Sequence, residues 1–208
     1  PHSSLTAFGR PSHALLARAG VSYRLSSSLI GFSLLVSCRR SNDTLTVVRP
    51  RVPRMRVSVI GGSTVTESQE RTAQNVGRRL AQRGHTVVCG GLGGVMEAAC
   101  RGASESDGRT IGILPGEERA AANPYVDVPI ATGLGHARNA LVVMNGDAVI
   151  AVDGGVGTLS EVGFAGVFDR PIAGIDTHDA PGVETVESAA EAVTYVEEAV
   201  ESRAVIET

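Results

Sequence analysis

From Met55 onward, short apolar runs alternate with stretches in which apolar positions recur every three or four residues. The first pattern belongs to buried strands and the second to one-sided helices. Val57–Ile60 reads as a strand that runs into Gly61-Gly62-Ser63, and residues 66–83 read as a helix with Val76 and Leu80 on one face. Thr66-x-x-Gln69 supplies a capping box for that helix and Gly84 stops it. A second strand over 85–89 leads into Gly90-Gly91-Leu92-Gly93-Gly94 and a helix over 95–103. Strands are further predicted over 110–114, 125–131, 148–152 and 171–175, the last of the series. Helices are predicted over 136–145, from the 154–157 glycines to about Phe168, and over 188–202. The last presents Ala189, Ala192, Val193, Val196 and Val200 to the core.

Strand–helix alternation with wholly apolar strands predicts an α/β domain. Its sheet is parallel and doubly wound in a Rossmann-like manner, with helices on both faces and right-handed crossovers. In such a sheet, loops that follow strands emerge on one edge, where ligands bind. Three glycine-rich loops follow strands here, so Gly61, Gly62 and Ser63, then Gly90, Gly91, Gly93 and Gly94, then Gly154, Gly155, Gly157 and Thr158 converge on one crevice. Consecutive glycines can turn backbone N–H groups inward as an anion nest. A helix that starts at once adds about half a positive charge. Gly154–Thr158 meets both conditions, which makes it the expected phosphate cradle. It has no G-K-[ST], so a nucleoside triphosphatase is not implied, and Gly90-x-x-Gly93 lacks the dinucleotide spacing.

Composition narrows the chemistry. All 19 basic residues are Arg, which removes lysine-dependent Schiff-base and general-base mechanisms. Residues 1–54 hold eight Arg against Asp43 alone, a net of +7, whereas 55–208 hold eleven Arg against 21 carboxylates, a net of −10. The acidic part repels a nucleic-acid backbone, so no nucleic-acid partner is expected. Cys38, Cys89 and Cys100 form no C-x-x-C pair; the odd count fits a reducing cytoplasm, with Cys89 and Cys100 as packed thiols. No metal site is expected, since no His/Cys/Asp cluster has ligand spacing.

Residues 1–54 are rich in Ser and Arg, end in Arg49-Pro-Arg-Val-Pro-Arg54, and read as a disordered tail to a domain over 55–208. An over-extended gene start is one explanation. Export is the other, because Leu35-Val36-Ser37-Cys38 resembles a lipoprotein cleavage box, although Gly31 and Ser33 interrupt the apolar run before it. No segment approaches the ~20 apolar residues that span a membrane, so no membrane partner is expected.

Two residues stand out beside the loops. Arg138, the only Arg between 120 and 169, suits bidentate contact with a phosphate or carboxylate; the alternative is a solvated helix-surface arginine. Glu161 closes Thr158-x-x-Glu161, where it either faces the ligand or merely caps the Thr158 backbone N–H. His136 reads as a helix-start or lining residue and His85 as structural.

These features together resemble the Lonely Guy (LOG) family of nucleotide phosphoribohydrolases. Asp153 to Glu161 match its P-G-G-x-G-T-x-x-E motif, with Asp153 in place of Pro. His136-Ala137-Arg138 match its arginine motif, with Gly135 in place of Met and Asn139 in place of Lys. Gly90 to Met96 approximate its central glycine motif, and the resemblance spans about residues 55–175. It implies a nucleoside 5′-monophosphate substrate, a catalytic pair Arg138 and Glu161, cleavage to a free base and ribose 5-phosphate, no cofactor, and a homo-oligomer of two or more copies. The Arg-Asn form and compact length are more similar to a subgroup that includes molybdenum-cofactor carrier proteins. That similarity implies the alternative function, a non-catalytic nucleotide or cofactor carrier or sensor.

Overall fold

The computed structural model describes residues 54–206 together with two short strands, β1 (Val21–Tyr23) and β2 (Val36–Cys38), which pair antiparallel. The remainder of the expected disordered tail, 1–53, lies outside the described residues. The larger unit is one α/β domain built on seven strands: β3 (Arg56–Gly61), β4 (Thr86–Cys89), β5 (Arg109–Leu114), β6 (Val128–Ala131), β7 (Ala148–Val152), β8 (Ile172–Ile175) and β9 (Val183–Thr185). They lie in the order β6-β5-β4-β3-β7-β8-β9 and every pairing is parallel, as the apolar strand pattern predicts. The helices are α1 (Glu67–Gln82), α2 (Val95–Ser104), α3 (Asn139–Met144), α4 (Val156–Val167) and α5 (Ala189–Ile206).

The two-residue period of the strands divides the core into two layers. Val57 and Val59 of β3, with Ala148, Ile150 and Val152 of β7, pack beneath α1, α2 and α5. Ile60, Val149 and Ala151 point the other way, against α3 and α4. Ser58, also on that second face, donates its hydroxyl to the Val142 carbonyl at 2.7 Å, so a buried polar group inside the sheet is satisfied. The capping box forms as predicted: Gln69 N donates to Thr66 Oγ1, and Thr66 N to Gln69 Oε1 at 2.7 Å. Ala189, Ala192, Val193 and Val196 of α5 are buried as expected.

Strand order reverses between β3 and β7. β3 sends its chain to α1 on one face and β7 sends its chain to α4 on the other, so a crevice opens between their carboxyl ends. The differences from expectation are local. A further strand, β9, pairs with β8 at the edge; it has three residues, and Glu184 and Thr185 are exposed, so it carries no alternation to read. The helix expected from His136 opens instead as a 3-10 turn over Gly135–Arg138 before α3 begins.

Candidate active-site crevice

The carboxyl-edge crevice has a volume of about 290 Å³. Of the residues expected there, Gly61, Gly62, Ser63, Gly90, Arg138, Gly155, Gly157, Thr158 and Glu161 line it. The other four support the loops from behind. Gly91 faces Gly112 and Leu114 of β5, and Gly93 sits between Ser63 and the Glu97 side chain. Gly94 takes φ +67, and a Cβ there would stand 2.3 Å from the Gly62 carbonyl oxygen. The next residue, Val95, donates its N–H to that same carbonyl at 3.0 Å, which ties the first glycine loop to the second. Gly154 takes φ +128, and a Cβ would collide with the Thr158 side chain.

Helix α4 starts at Val156 with Gly155 as its N-cap, and no side chain caps it. Its first helical bond runs from Leu159 N to Gly155 O. The N–H groups of Val156, Gly157 and Thr158 therefore have no partner within the helix and stand at its positive end. The loop ahead of them is braced by the β8–β9 connection. Thr177 Oγ1 donates to Asp153 O at 2.7 Å, and His178 Nε2 donates to Gly155 O at 3.0 Å. Asp153 itself takes φ +51. Proline, held near −65°, could not adopt that value, so the departure from the LOG motif comes with a different backbone turn.

Both alternatives weighed for the charged residues resolve towards the crevice. Glu161 is the sixth residue of α4 rather than part of a cap, since Thr158 is already in the first helical turn. Arg138 is buried rather than solvated. The two side chains face each other, with Arg138 Nη1 3.7 Å from Glu161 Oε1. Removal from water pushes the Glu161 carboxyl up to about 7, against the opposing pull of the Arg138 charge. Burial likewise draws Arg138 below the ordinary arginine value, offset in part by Glu161 and by Cys89. Arg138 Nε is buried without a hydrogen-bond partner, and Nη2 reaches the Gly90 carbonyl at 3.4 Å. A donor left unpaired in this way costs about 1–3 kcal/mol, a cost seen where a group awaits a ligand.

Five lining residues were not expected there from the sequence: Val59 and Ile60 at the end of β3, Leu92, Met96 and Asn139. Asn139, met only as a departure from a motif, is buried and accepts from Arg138 Nη1. Its Nδ2 donates to Ser160 Oγ at 3.0 Å and to Gly157 O at 3.3 Å. Leu92 and Met96 add an apolar wall, within a segment whose glycines drew attention instead. Beneath Gly90, the buried and free thiols of Cys89 and Cys100 lie with their sulfurs 3.4 Å apart, packed as expected. The hydrogen bond with Cys100 and the Gly91 N–H hold the Cys89 thiol below its usual range. The same bond and burial push Cys100 up.

Comparison with known proteins places this geometry. The SLOG cluster4 family model matches residues 54–203. The chain belongs to that family. The LOG-like resemblance read from its motifs is borne out. It is 39% identical over 142 residues to an uncharacterized protein of Archaeoglobus fulgidus, covering 68% of this chain and 93% of that one. It is 36% identical over 114 residues to the cytokinin riboside 5′-monophosphate phosphoribohydrolase of Mycobacterium tuberculosis, covering 50% of this chain and 60% of that one. Among solved structures it is similar to the molybdenum cofactor binding protein of Rippkaea orientalis, with a TM-score of 0.67 and 31% identity over 71% of this chain and 98% of the other. The molybdenum cofactor carrier protein of Chlamydomonas reinhardtii gives 0.66 and 31% over 71% and 99%. No helix among the described residues is long and apolar enough to cross a membrane.

Proposed function

We propose that this SLOG cluster4 protein binds a nucleoside 5′-monophosphate in the crevice and hydrolyses its N-glycosidic bond. The observation that carries the proposal is Glu161: a buried carboxyl that faces the crevice, beside Arg138 and one helical turn from three free N–H groups. The 5′-phosphate sits on the N–H groups of Val156, Gly157 and Thr158, at the positive end of α4. The base lies towards Leu92 and Met96. The ribose then spans the gap before Glu161. As the C1′–N bond breaks, the carboxylate stabilises positive charge on the ribose or orients the attacking water. Water delivers hydroxyl to C1′ and a proton to the departing base, which yields free base and ribose 5-phosphate. Arg138 orients the phosphorylated sugar and favours the ionised form of Glu161, against the burial that opposes it. No metal and no cofactor takes part.

The reaction needs Glu161 as the carboxylate, and its pKa of about 7 sets the profile. Protonation below that value removes the catalytic form, so kcat/KM rises through pH 7 and levels off above it. The decisive assay offers a panel of nucleoside 5′-monophosphates and identifies the products. AMP should release adenine, and both Arg138→Ala and Glu161→Ala should abolish the release. Tight nucleotide binding without turnover across the panel would sink the hydrolase.

That second outcome has its own support, since two structures 31% identical to this chain are molybdenum-cofactor binding and carrier proteins. On that reading the same helix end holds the phosphate of a carried cofactor or nucleotide. The ligand in either case is a phosphorylated small molecule, in a cytoplasmic protein that engages neither nucleic acid nor membrane.

The working form is proposed to be a homo-oligomer, assembled through α4. Val156, Leu159, Gly163 and Val167 form one exposed stripe on that helix, and exposed Met144 of the adjoining α3 extends the apolar surface.

A further inference from the structure

We propose that Asn139 is a positioning residue that keeps the Arg138 guanidinium from closing onto Glu161, and that its amide simultaneously orients the phosphate cradle. A buried arginine and carboxylate left to themselves close to about 2.7–2.9 Å and pair two-to-two. Here the separation is 3.7 Å, because Arg138 Nη1 is spent on the Asn139 side-chain oxygen. Asn139 cannot swing aside to release it. Its Nδ2 is anchored on α4, to Ser160 Oγ and to the Gly157 carbonyl, and the residue is buried.

The second half of the role follows from the Gly157 carbonyl. It accepts from both Asn139 Nδ2 and Ser160 Oγ, the latter at 2.6 Å. Those two donors fix the plane of the peptide between Gly157 and Thr158. The Thr158 N–H is the far side of that plane, so it is directed to the open end of the helix. One side chain thus bridges the arginine to the anion-binding amides. It leaves Arg138 with a charge still available to a ligand and Glu161 without a tight counter-ion.

Two groups that can titrate act on Glu161 or its partner, Arg138 from the turn before α3 and Cys89 from the end of β4, and a third, His136, lines the same crevice. None belongs to α4 itself, so the balance at Glu161 is set across elements and Asn139 is the link between them.

The test titrates Glu161 by carbon NMR in the full-length, ligand-free protein, with Glu161→Gln assigning the signal. Asn139→Leu keeps the branched shape but removes the oxygen, so Arg138 closes onto Glu161 and its pKa falls by about one unit or more. Asn139→Asp keeps the oxygen and adds a charge that competes for Arg138, so the pKa of Glu161 rises by a similar amount. Ser160→Ala, which spares the Arg138 contact, leaves the titration where it is. Shifts of the same sign in the Leu and Asp variants, or no shift in the Leu variant, would overturn the proposal, since a merely packed Asn produces no opposed pair. If Asn139→Leu does not fold, Asn139→Ala removes the same oxygen and carries the same expectation. A second arm measures ribose 5-phosphate affinity, which should weaken about tenfold in Asn139→Leu, the loss expected of about one good hydrogen bond; unchanged affinity would remove the cradle half of the role. This arm rests on the phosphate-site reading whereas the titration does not, so the two fail separately.

Discussion

Glu161 is costly to the fold in the state that the proposed chemistry requires. A carboxyl with an ordinary value of 4.5 that is pushed up to about 7 by burial prefers its proton in the folded protein. Between those two values the folded state binds more protons than the unfolded chain, so stability falls as pH rises through that window and stays low above it. The favourable contribution of the neutral form is complete below about 4.5 and gone above 7. Glu161→Gln removes the penalty while keeping the shape. Thermal melts should therefore show the variant more stable than the wild type at pH 8, by as much as about 3 kcal/mol for a shift of this size, and nearly equal to it at pH 4.5. A pH-independent difference between the two proteins would mean that Glu161 is not held near pH 7. The same substitution should abolish adenine release, since the neutral amide supplies no charge to the ribose, and stability gained at the expense of activity is the mark of a functional group in a buried site.

At the scale of the loops and helices, two glycines of the crevice do different work. Gly94 holds a left-handed turn against the Gly62 carbonyl, so it fixes how the first two loops meet. Gly157, in the first turn of α4, lines the crevice and has open space where a Cβ would go. Gly94→Ala should cost more than about 3 kcal/mol, since positive φ and a backbone collision are combined. Gly157→Ala should leave the melting temperature near that of the wild type, or above it, yet weaken ribose 5-phosphate binding, because the new methyl occupies ligand space. Equal losses of stability in both variants would contradict this division. The sequence made the elements around these glycines readable, because six of the seven strands of the sheet and the turns between them follow from periodicity alone. It also put all three loops on one edge. It could not separate a capping box from a helix whose first turn begins two residues before Thr158, since Thr158 and Glu161 have the same spacing in both. Burial of Arg138 was equally hidden: locally it sits in a polar helix start, and only the approach of the Gly90 loop and α4 takes it out of water. Asn139 is legible only after that approach is known, because its partners Gly157 and Ser160 lie 18 and 21 residues away. The edge strand β9 left too little pattern to see.

For the whole molecule, the proposed assembly must bring together copies of an acidic domain. Residues 55–208 carry eleven Arg against 21 carboxylates, so most pairs of surfaces would set carboxylates against carboxylates. The outer face of α4 is an exception. The one charged residue of that helix, Glu161, points inward to the crevice, and the outward stripe holds Val156, Leu159, Gly163 and Val167. Val156 is 85% and Val167 73% exposed, and such apolar area grouped on one helix is what an interface uses. A two-fold arrangement places this stripe on its own copy, with Gly163 at the middle letting the helices approach. Val167→Asp tests it cleanly, because the residue is 11 positions beyond Val156, at the far end of α4 from the phosphate cradle, and its exposed side chain leaves the fold of one copy intact. Size-exclusion chromatography with light scattering should give a dimer or larger assembly for the wild type and a monomer for the variant, with unchanged circular dichroism. A wild-type monomer, or an oligomer that persists in the variant, would remove α4 as the interface. Because Val156 and Leu159 flank the helix end proposed to hold the phosphate, assembly through α4 would narrow the mouth of the crevice. The monomeric variant should then release ribose 5-phosphate faster than the oligomer while binding it through the same N–H groups.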